Sequence, residues 1–151
     1  MALINIDRNP YPEPISVKYS GTKGLVNGSV IGYEHGKVAL EQELFDGKEV
    51  TEGCLACVVA EPFHPYLSTE EEIDMAFKSG DVVRAYPLKA GIEVTVSKDK
   101  CSTGAIKLGD YVGVKNADVV FEKVIDKEKA VGKVVKVYKF NGQDSLRILF
   151  I

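Results

Sequence analysis

The stretch GDVVRAYPL at residues 80–88, followed by Ala90-Gly91 and the alternating run IEVTVS at residues 92–97, decides the fold class of this chain. A turn glycine opens a run of apolar and β-branched residues, a second glycine closes it, and the returning run alternates apolar with polar side chains. This pattern is typical of a β-hairpin with one buried face. We therefore expect two adjacent strands joined at Gly91.

The same opening, a glycine followed within two residues by an apolar or β-branched pair, recurs along the chain. It is found at glycines 28, 53, 80, 109 and 132. Each interval between these glycines leaves room for two strands and a loop. The repeat predicts a mainly β fold, a compact β-barrel or β-sandwich of at least seven strands.

Two further β segments carry sharper predictions. Asn141-Gly142 is the preferred two-residue hairpin loop, so Phe140 should pair with Gln143, and the register should continue with Lys139 opposite Asp144, Val137 opposite Leu146 and Val135 opposite Ile148. The continuously apolar run at residues 53–60 predicts a strand covered on both faces. Asp46-Gly47 is typical of a turn.

One short helix is expected near residues 69–78. Ser68 and Glu71 form a capping box, the first turn is acidic, and Gly80 follows as a stop signal. Ile73, Ala76 and Phe77 fall on one stripe, which should lie against the β body.

Residues 1–14 should form an extended arm, with residues 15–151 as one β-rich domain. The three prolines of the arm favour extended backbone in the residues before them. The arm is either a linker or edge strand on its own domain, or a segment that reaches a neighbouring subunit. In the second case its contact residues would be Ile4, Ile6, Pro10, Tyr11, Pro12 and Pro14.

Composition limits the classes of partner. The net charge of −3 argues against nucleic acid, whose phosphates need clustered Lys and Arg. No apolar run reaches membrane-spanning length. Three cysteines and no signal peptide favour a reducing compartment.

The candidate chemical groups are sparse. Cys54 and Cys57 have the spacing of half a zinc site, and Cys101, His35 and His64 are the remaining candidate ligands. Free cysteines in an apolar run behave as small hydrophobes, so we expect neither metal nor cofactor. Asp81 and Asp110 recur after a glycine, which predicts a turn role rather than a catalytic pair.

An extended proline-bearing arm, regularly spaced Gly-x-apolar turns and a single short helix together resemble the head decoration, or cement, proteins of tailed bacteriophages. The resemblance implies a non-enzymatic virion protein, made in the host cytoplasm, that binds the major capsid protein lattice and stabilises the shell. It also implies a homo-oligomer, frequently a trimer. The resemblance is one of overall organisation, and it assigns no functional residue.

Two alternatives remain open. One is another β-rich virion component, such as a tail tube or head completion protein. The other is a small β-barrel enzyme or a ligand- or oligonucleotide-binding module. Basic residues beside tyrosines at Lys18-Tyr19, Arg84-Ala85-Tyr86 and Lys136-Val137-Tyr138-Lys139 suggest the oligonucleotide version of this module.

Overall fold

The structure is a computed structural model that describes residues 4–8, 14–35, 44–61, 76–98, 101, 106–140 and 142–151. Its thirteen strands within these ranges are β1 (Ile4–Arg8), β2 (Ile15–Tyr19), β3 (Leu25–Val26), β4 (Val30–His35), β5 (Leu44–Lys48), β6 (Leu55–Val59), β7 (Ala76–Phe77), β8 (Val82–Pro87), β9 (Glu93–Ser97), β10 (Tyr111–Val114), β11 (Phe121–Val124), β12 (Gly132–Phe140) and β13 (Gln143–Phe150). A 3₁₀ turn spans Lys127–Lys129. The mainly β fold class is confirmed.

The strands form a closed barrel and an open sheet. The barrel runs β2-β5-β4-β6-β8, with β2 and β5 parallel and the other pairs antiparallel. The antiparallel sheet has the order β1-β9-β13-β12-β10-β11, and β3 pairs with β7 separately. Among the described residues, no helix is long and apolar enough to cross a membrane.

Two hydrophobic clusters hold these sheets together. One fills the barrel, and the other lies between the outside of the barrel and one face of the six-stranded sheet. Strand β6 contributes to both, because Cys57 and Val59 point into the barrel while Val58 points toward the sheet. The prediction of a strand covered on both faces is confirmed for these three residues, which are fully buried, and is wrong for Leu55, which is 62% exposed.

Four of the five repeated glycines share one turn structure. Each is the third residue of its turn and has a positive φ: 91° at Gly28, 80° at Gly53, 97° at Gly80 and 87° at Gly109. The fourth residue donates its N–H to the carbonyl of the first, and its side chain accepts the N–H of the first. These side chains are Ser29, Cys54, Asp81 and Asp110.

Three of these turns also dock onto a neighbouring strand in one way. The Gly80 N–H donates to the Tyr19 carbonyl at 2.7 Å, and the Tyr19 N–H donates to the Asp81 carbonyl at 2.9 Å. Two residues thus oppose one, as in a β-bulge with glycine in the left-handed region. The Gly28 and Gly109 turns dock in the same way, on Val59 and Val134.

The fifth glycine, Gly132, is not a turn residue, so that prediction is wrong. It lies in β12, where a Cβ atom would stand 2.6 Å from Cγ2 of Ile148 and 3.0 Å from the Leu149 carbonyl. Glycine is needed at this position because β13 packs closely against it.

The predicted central hairpin is also wrong. Strand β8 belongs to the barrel and β9 to the sheet, and they do not pair. Gly91 is the third residue of a turn closed by the Ile92 N–H and the Lys89 carbonyl, with a φ of 92°. A positive φ at the third position matches a type II turn, which splays the flanking strands. The turn therefore passes the chain to β13, where the Gly91 N–H donates to the Phe150 carbonyl at 2.9 Å.

The β12–β13 register is confirmed at its tip and shifts below it. Phe140 pairs with Gln143, Lys139 with Asp144, and Val137 with Leu146. A β-bulge between Val134 and Lys136 then places Val134, rather than Val135, opposite Ile148.

Two other local predictions need correction. Asp46-Gly47 is not a turn but lies inside β5, where a Cβ at residue 47 would stand 2.4 Å from Cγ1 of Val17. The prediction of a helix near residues 69–78 is wrong at its C-terminal end, because Ala76–Phe77 is strand β7. The Lys78 N–H bonds to the Asp81 carboxylate instead of closing a helical turn. Residues 69–75 lie outside the described residues.

Candidate functional site

The cysteines are the first candidates for chemistry. Cys57 and Cys101 are buried and Cys54 is half-buried, and all three are free thiols. Burial, with Cys54 nearby, raises the pKa of the Cys57 thiol, so the thiolate needed for nucleophilic attack or metal binding is disfavoured. Within the described ranges, no three His, Cys, Asp or Glu side chains converge as a metal-binding group.

The paired aspartates serve their turns. The Asp81 carboxylate accepts the Lys78 N–H at 3.0 Å, and the Asp110 carboxylate accepts the Lys107 N–H at 2.8 Å. The hydrogen bond from Lys107 lowers the pKa of Asp110, and so does the Lys123 ammonium group, which lies 3.2 Å from the carboxylate. The two carboxylates are turn acceptors next to strands of separate sheets.

Neither histidine can be assigned a chemical role. The backbone of His35 ends β4, but its side chain is outside the described part of the structure, as is the whole of His64.

The Ser20–Gly24 loop is closed by a carboxylate that the sequence did not reveal. Oε1 of Glu49 accepts the N–H groups of Thr22 and Lys23 at 2.7 and 2.8 Å, and the Thr22 hydroxyl at 3.1 Å. Burial opposes ionisation, but these donors prevail and lower the pKa of Glu49 to about 2. The amides of Thr22 and Lys23 are therefore already paired within the protein.

Tyr19 supports the same loop from inside the barrel. Its hydroxyl donates to the Lys23 carbonyl at 2.6 Å and lies 3.2 Å from Glu49 Oε1. Burial and the Glu49 charge raise the pKa of Tyr19 to about 12. The ring is fully buried, so it cannot stack on a nucleotide base.

The oligonucleotide hypothesis needs its three tyrosines on one surface, and the structure separates them. Tyr19 is inside the barrel, and Tyr86 packs against the cluster between barrel and sheet. Tyr138 lies in β12 of the six-stranded sheet. No common stacking face is formed by these three side chains.

The N-terminal residues that were predicted to contact a partner divide between two regions. Ile4 and Ile6 lie in β1, which pairs with β9 of the same chain: Ile4 is opposite Val96, and Ile6 is opposite Val94 and packs on the core. Pro14 is half-buried just before β2. Pro10, Tyr11 and Pro12 lie outside the described residues. Among the described residues, residues 4–8 are thus an edge strand of their own sheet, and their contact with a second molecule stays a prediction.

A groove of about 690 Å³ crosses the barrel surface over β2, β5, β4 and the start of β6. Gly32, Gly47 and Gly53 line it, and charges of both signs border it, including Lys18, Lys48, Glu34 and Asp46. Leu55 is 62% exposed at its rim. No signal in the sequence connects these residues, because the barrel closure that unites them is non-local.

No protein-family model matches the sequence, and no curated protein matches it.

Proposed function

We propose that this chain is a non-enzymatic virion structural protein that attaches to the outside of a bacteriophage capsid and stabilises the shell. The observation that carries the proposal is the position of β1. It is the last strand of the six-stranded sheet among the described residues, and it is joined to the barrel through a segment that contains Pro10 and Pro12.

An edge strand offers a row of backbone N–H and C=O groups to an incoming strand. Residues 9–14 contain three prolines, and a proline-rich segment loses little conformational entropy on docking. The β1 edge with this segment is therefore suited to a neighbouring chain, either the major capsid protein or a second copy in a homo-oligomer such as a trimer.

The groups that could have supported an enzyme instead support the turns and the core. Asp81, Asp110 and Cys54 accept turn N–H groups, Glu49 closes a loop, and Cys57 is packed in the barrel. A role in binding uses the rigid surface that these contacts produce.

The test uses capsids assembled from the major capsid protein of the same genome. The full chain should co-sediment with them and raise their thermal midpoint, and a variant that lacks residues 1–14 should lose both effects. Deletion removes the pairing of β1 with β9, so a modest fall in the thermal midpoint of the free protein is expected as well. Capsid binding that survives the deletion would refute the role of β1, and a genome without a capsid gene would refute the proposal.

A second candidate, a ligand-binding module, is favoured by the groove. Its mixed charges suit a small zwitterion, with Lys18 or Lys48 facing the anionic end and Glu34 or Asp46 the cationic end. Thermal-shift screening with amino acids and short peptides, repeated on Lys48→Gln, tests it. Equal shifts in both proteins would argue against the groove.

A further inference from the structure

Basic and aromatic side chains form a stripe on the outer face of the six-stranded sheet. The stripe consists of Lys127, Tyr111, Lys133, Lys136, Tyr138 and Phe140, and we call it the basic-aromatic stripe. Tyr111 is paired directly with Lys133 across β10 and β12. Arg147 lies beside the stripe, because it pairs with Lys136 across β12 and β13.

The rings hold the cations in place. Nζ of Lys136 lies 4.4 Å from the centre of the Tyr138 ring, and the Arg147 guanidinium lies 5.6 Å from it. Nζ of Lys127 and Nζ of Lys133 lie 5.3 and 5.6 Å from the centre of the Tyr111 ring. These are cation–π distances. Both tyrosines are half-buried, and the Tyr138 hydroxyl is fixed by Thr95 at 2.7 Å.

The bulge in β12 makes the stripe continuous. Side chains three residues apart point to opposite faces of a regular strand, so Lys133 and Lys136 would be separated without it. The extra residue at Val135 turns Lys136, Tyr138 and Phe140 to the face that carries Lys133 and Tyr111.

The stripe lysines are not neutralised by neighbouring carboxylates. Among the described residues, no carboxylate lies within ion-pair distance of the stripe lysines, whereas Lys23, Lys115 and Lys123 form ion pairs outside the stripe. Lys127 and Lys136 are exposed and Lys133 is half-buried. A protein with a net charge of −3 thus presents a row of ordered cations on one face.

We infer that the basic-aromatic stripe is a docking surface for an acidic protein partner. Charge complementarity identifies the sign of the partner, and the geometry favours protein over nucleic acid. The Tyr111 and Tyr138 ring faces already hold cations, so they are not free to stack on bases. Register also places Glu122 and Glu93 on the same sheet face, on either side of the stripe. A discrete cluster of carboxylates fits between Glu122 and Glu93. A continuous phosphate backbone that crossed the sheet would approach both glutamates and be repelled by them.

The experiment measures binding of the full chain to fluorescently labelled poly-glutamate at ionic strengths of about 0.02 M and 0.15 M. The variant Lys133→Gln/Lys136→Gln should weaken binding about ten-fold at the lower salt, since it removes two charges of the stripe. The matched control Lys78→Gln/Lys107→Gln makes the same change in net charge at two exposed turn lysines outside the stripe and should alter binding less than about two-fold.

A second pair of variants tests the rings without changing charge. Tyr138→Leu should weaken binding, because Lys136 and Arg147 lose the surface that positions them, while Tyr138→Phe keeps the ring and should retain binding. Thermal midpoints of all variants establish that each is folded.

Three results would overturn the inference. They are equal losses in the two lysine variants, tighter binding of single-stranded oligothymidylate than of poly-glutamate, and self-association that Lys133→Gln/Lys136→Gln abolishes. The inference does not depend on capsid binding, because poly-glutamate is measured in the absence of capsids.

Discussion

Replacing Glu49 tests how a single carboxylate fixes the Ser20–Gly24 loop. Glu49→Gln keeps the shape of the side chain and an oxygen that can accept the Thr22 and Lys23 N–H groups. It removes the charge that makes these bonds strong, since hydrogen bonds to ionised acceptors are about twice as strong as neutral ones. The expected result is a folded protein with a lower free energy of unfolding.

The magnitude follows from the pKa of Glu49, which falls from 4.5 to about 2 in the folded state. A shift of that size corresponds to about 3.4 kcal/mol. Glu49 is only half-buried, so solvent screening reduces the expected loss to roughly 1–2 kcal/mol. For a chain of this length the thermal midpoint should fall by about 3–8 °C.

The pH dependence separates charge from shape. Because folding lowers the pKa of Glu49, its contribution is complete above pH 4.5 and is lost as the pH falls toward 2. The difference in unfolding free energy between the wild type and Glu49→Gln, measured by urea denaturation, should therefore shrink across this interval. Glu52→Gln is the control, because Glu52 is exposed in the neighbouring turn and should change stability by less than about 0.5 kcal/mol. A Glu49→Gln difference that stays constant from pH 7 to pH 3, or that matches the control, would refute the reasoning.

Three further predictions concern the barrel. Gly47→Ala should lower stability by about 1–3 kcal/mol in thermal unfolding, because its Cβ would collide with a buried valine, whereas Gly24→Ala, where no atom lies within 4 Å, should be nearly neutral. Since the pKa of Tyr19 is raised to about 12, ultraviolet titration should find a tyrosine that ionises above pH 11 and is absent from Tyr19→Phe, and its stabilising contribution should be lost as the pH rises from 10 to 12. Alkylation of the native protein should modify Cys54 well before Cys57, which is buried, and elemental analysis should find no stoichiometric zinc; simultaneous modification of both thiols or one zinc per chain would contradict these expectations.

The sequence predicted those features that a few adjacent residues determine. The Asn141-Gly142 loop specified the register as far as Leu146, because a two-residue hairpin turn constrains the pairs beside it. The shift at Val135 was missed, although Val134 and Val135 stand side by side and break the apolar–polar alternation. Such a pair is the signal that could have predicted the bulge, and with it the continuity of the basic-aromatic stripe.

Prediction from the sequence was wrong where a turn directs the chain to a strand that is distant in sequence. Ala90-Gly91 resembles a hairpin loop, but a type I′ turn needs a positive φ at both central residues, and alanine does not favour it. The positive φ occurs at Gly91 alone, and β9 consequently pairs with β1 and β13 instead of β8. The groove on the barrel was unpredictable for a related reason, because its walls come from strands that meet only through barrel closure.

The repeated turn gives a structural role to four residues that resemble catalytic or metal-binding groups in the sequence. Ser29, Cys54, Asp81 and Asp110 differ in reactivity, yet each occupies the fourth position and accepts the N–H of the first residue. The shared requirement is an acceptor atom within two bonds of Cβ, which serine, cysteine and aspartate all supply. Glycine spacing was visible in the sequence, but the equivalence of these four side chains requires the hydrogen bonds. A cysteine or an aspartate that follows a turn glycine in such a repeat therefore serves the turn. The side chains available for contact with another molecule are those outside the turns, such as the basic-aromatic stripe.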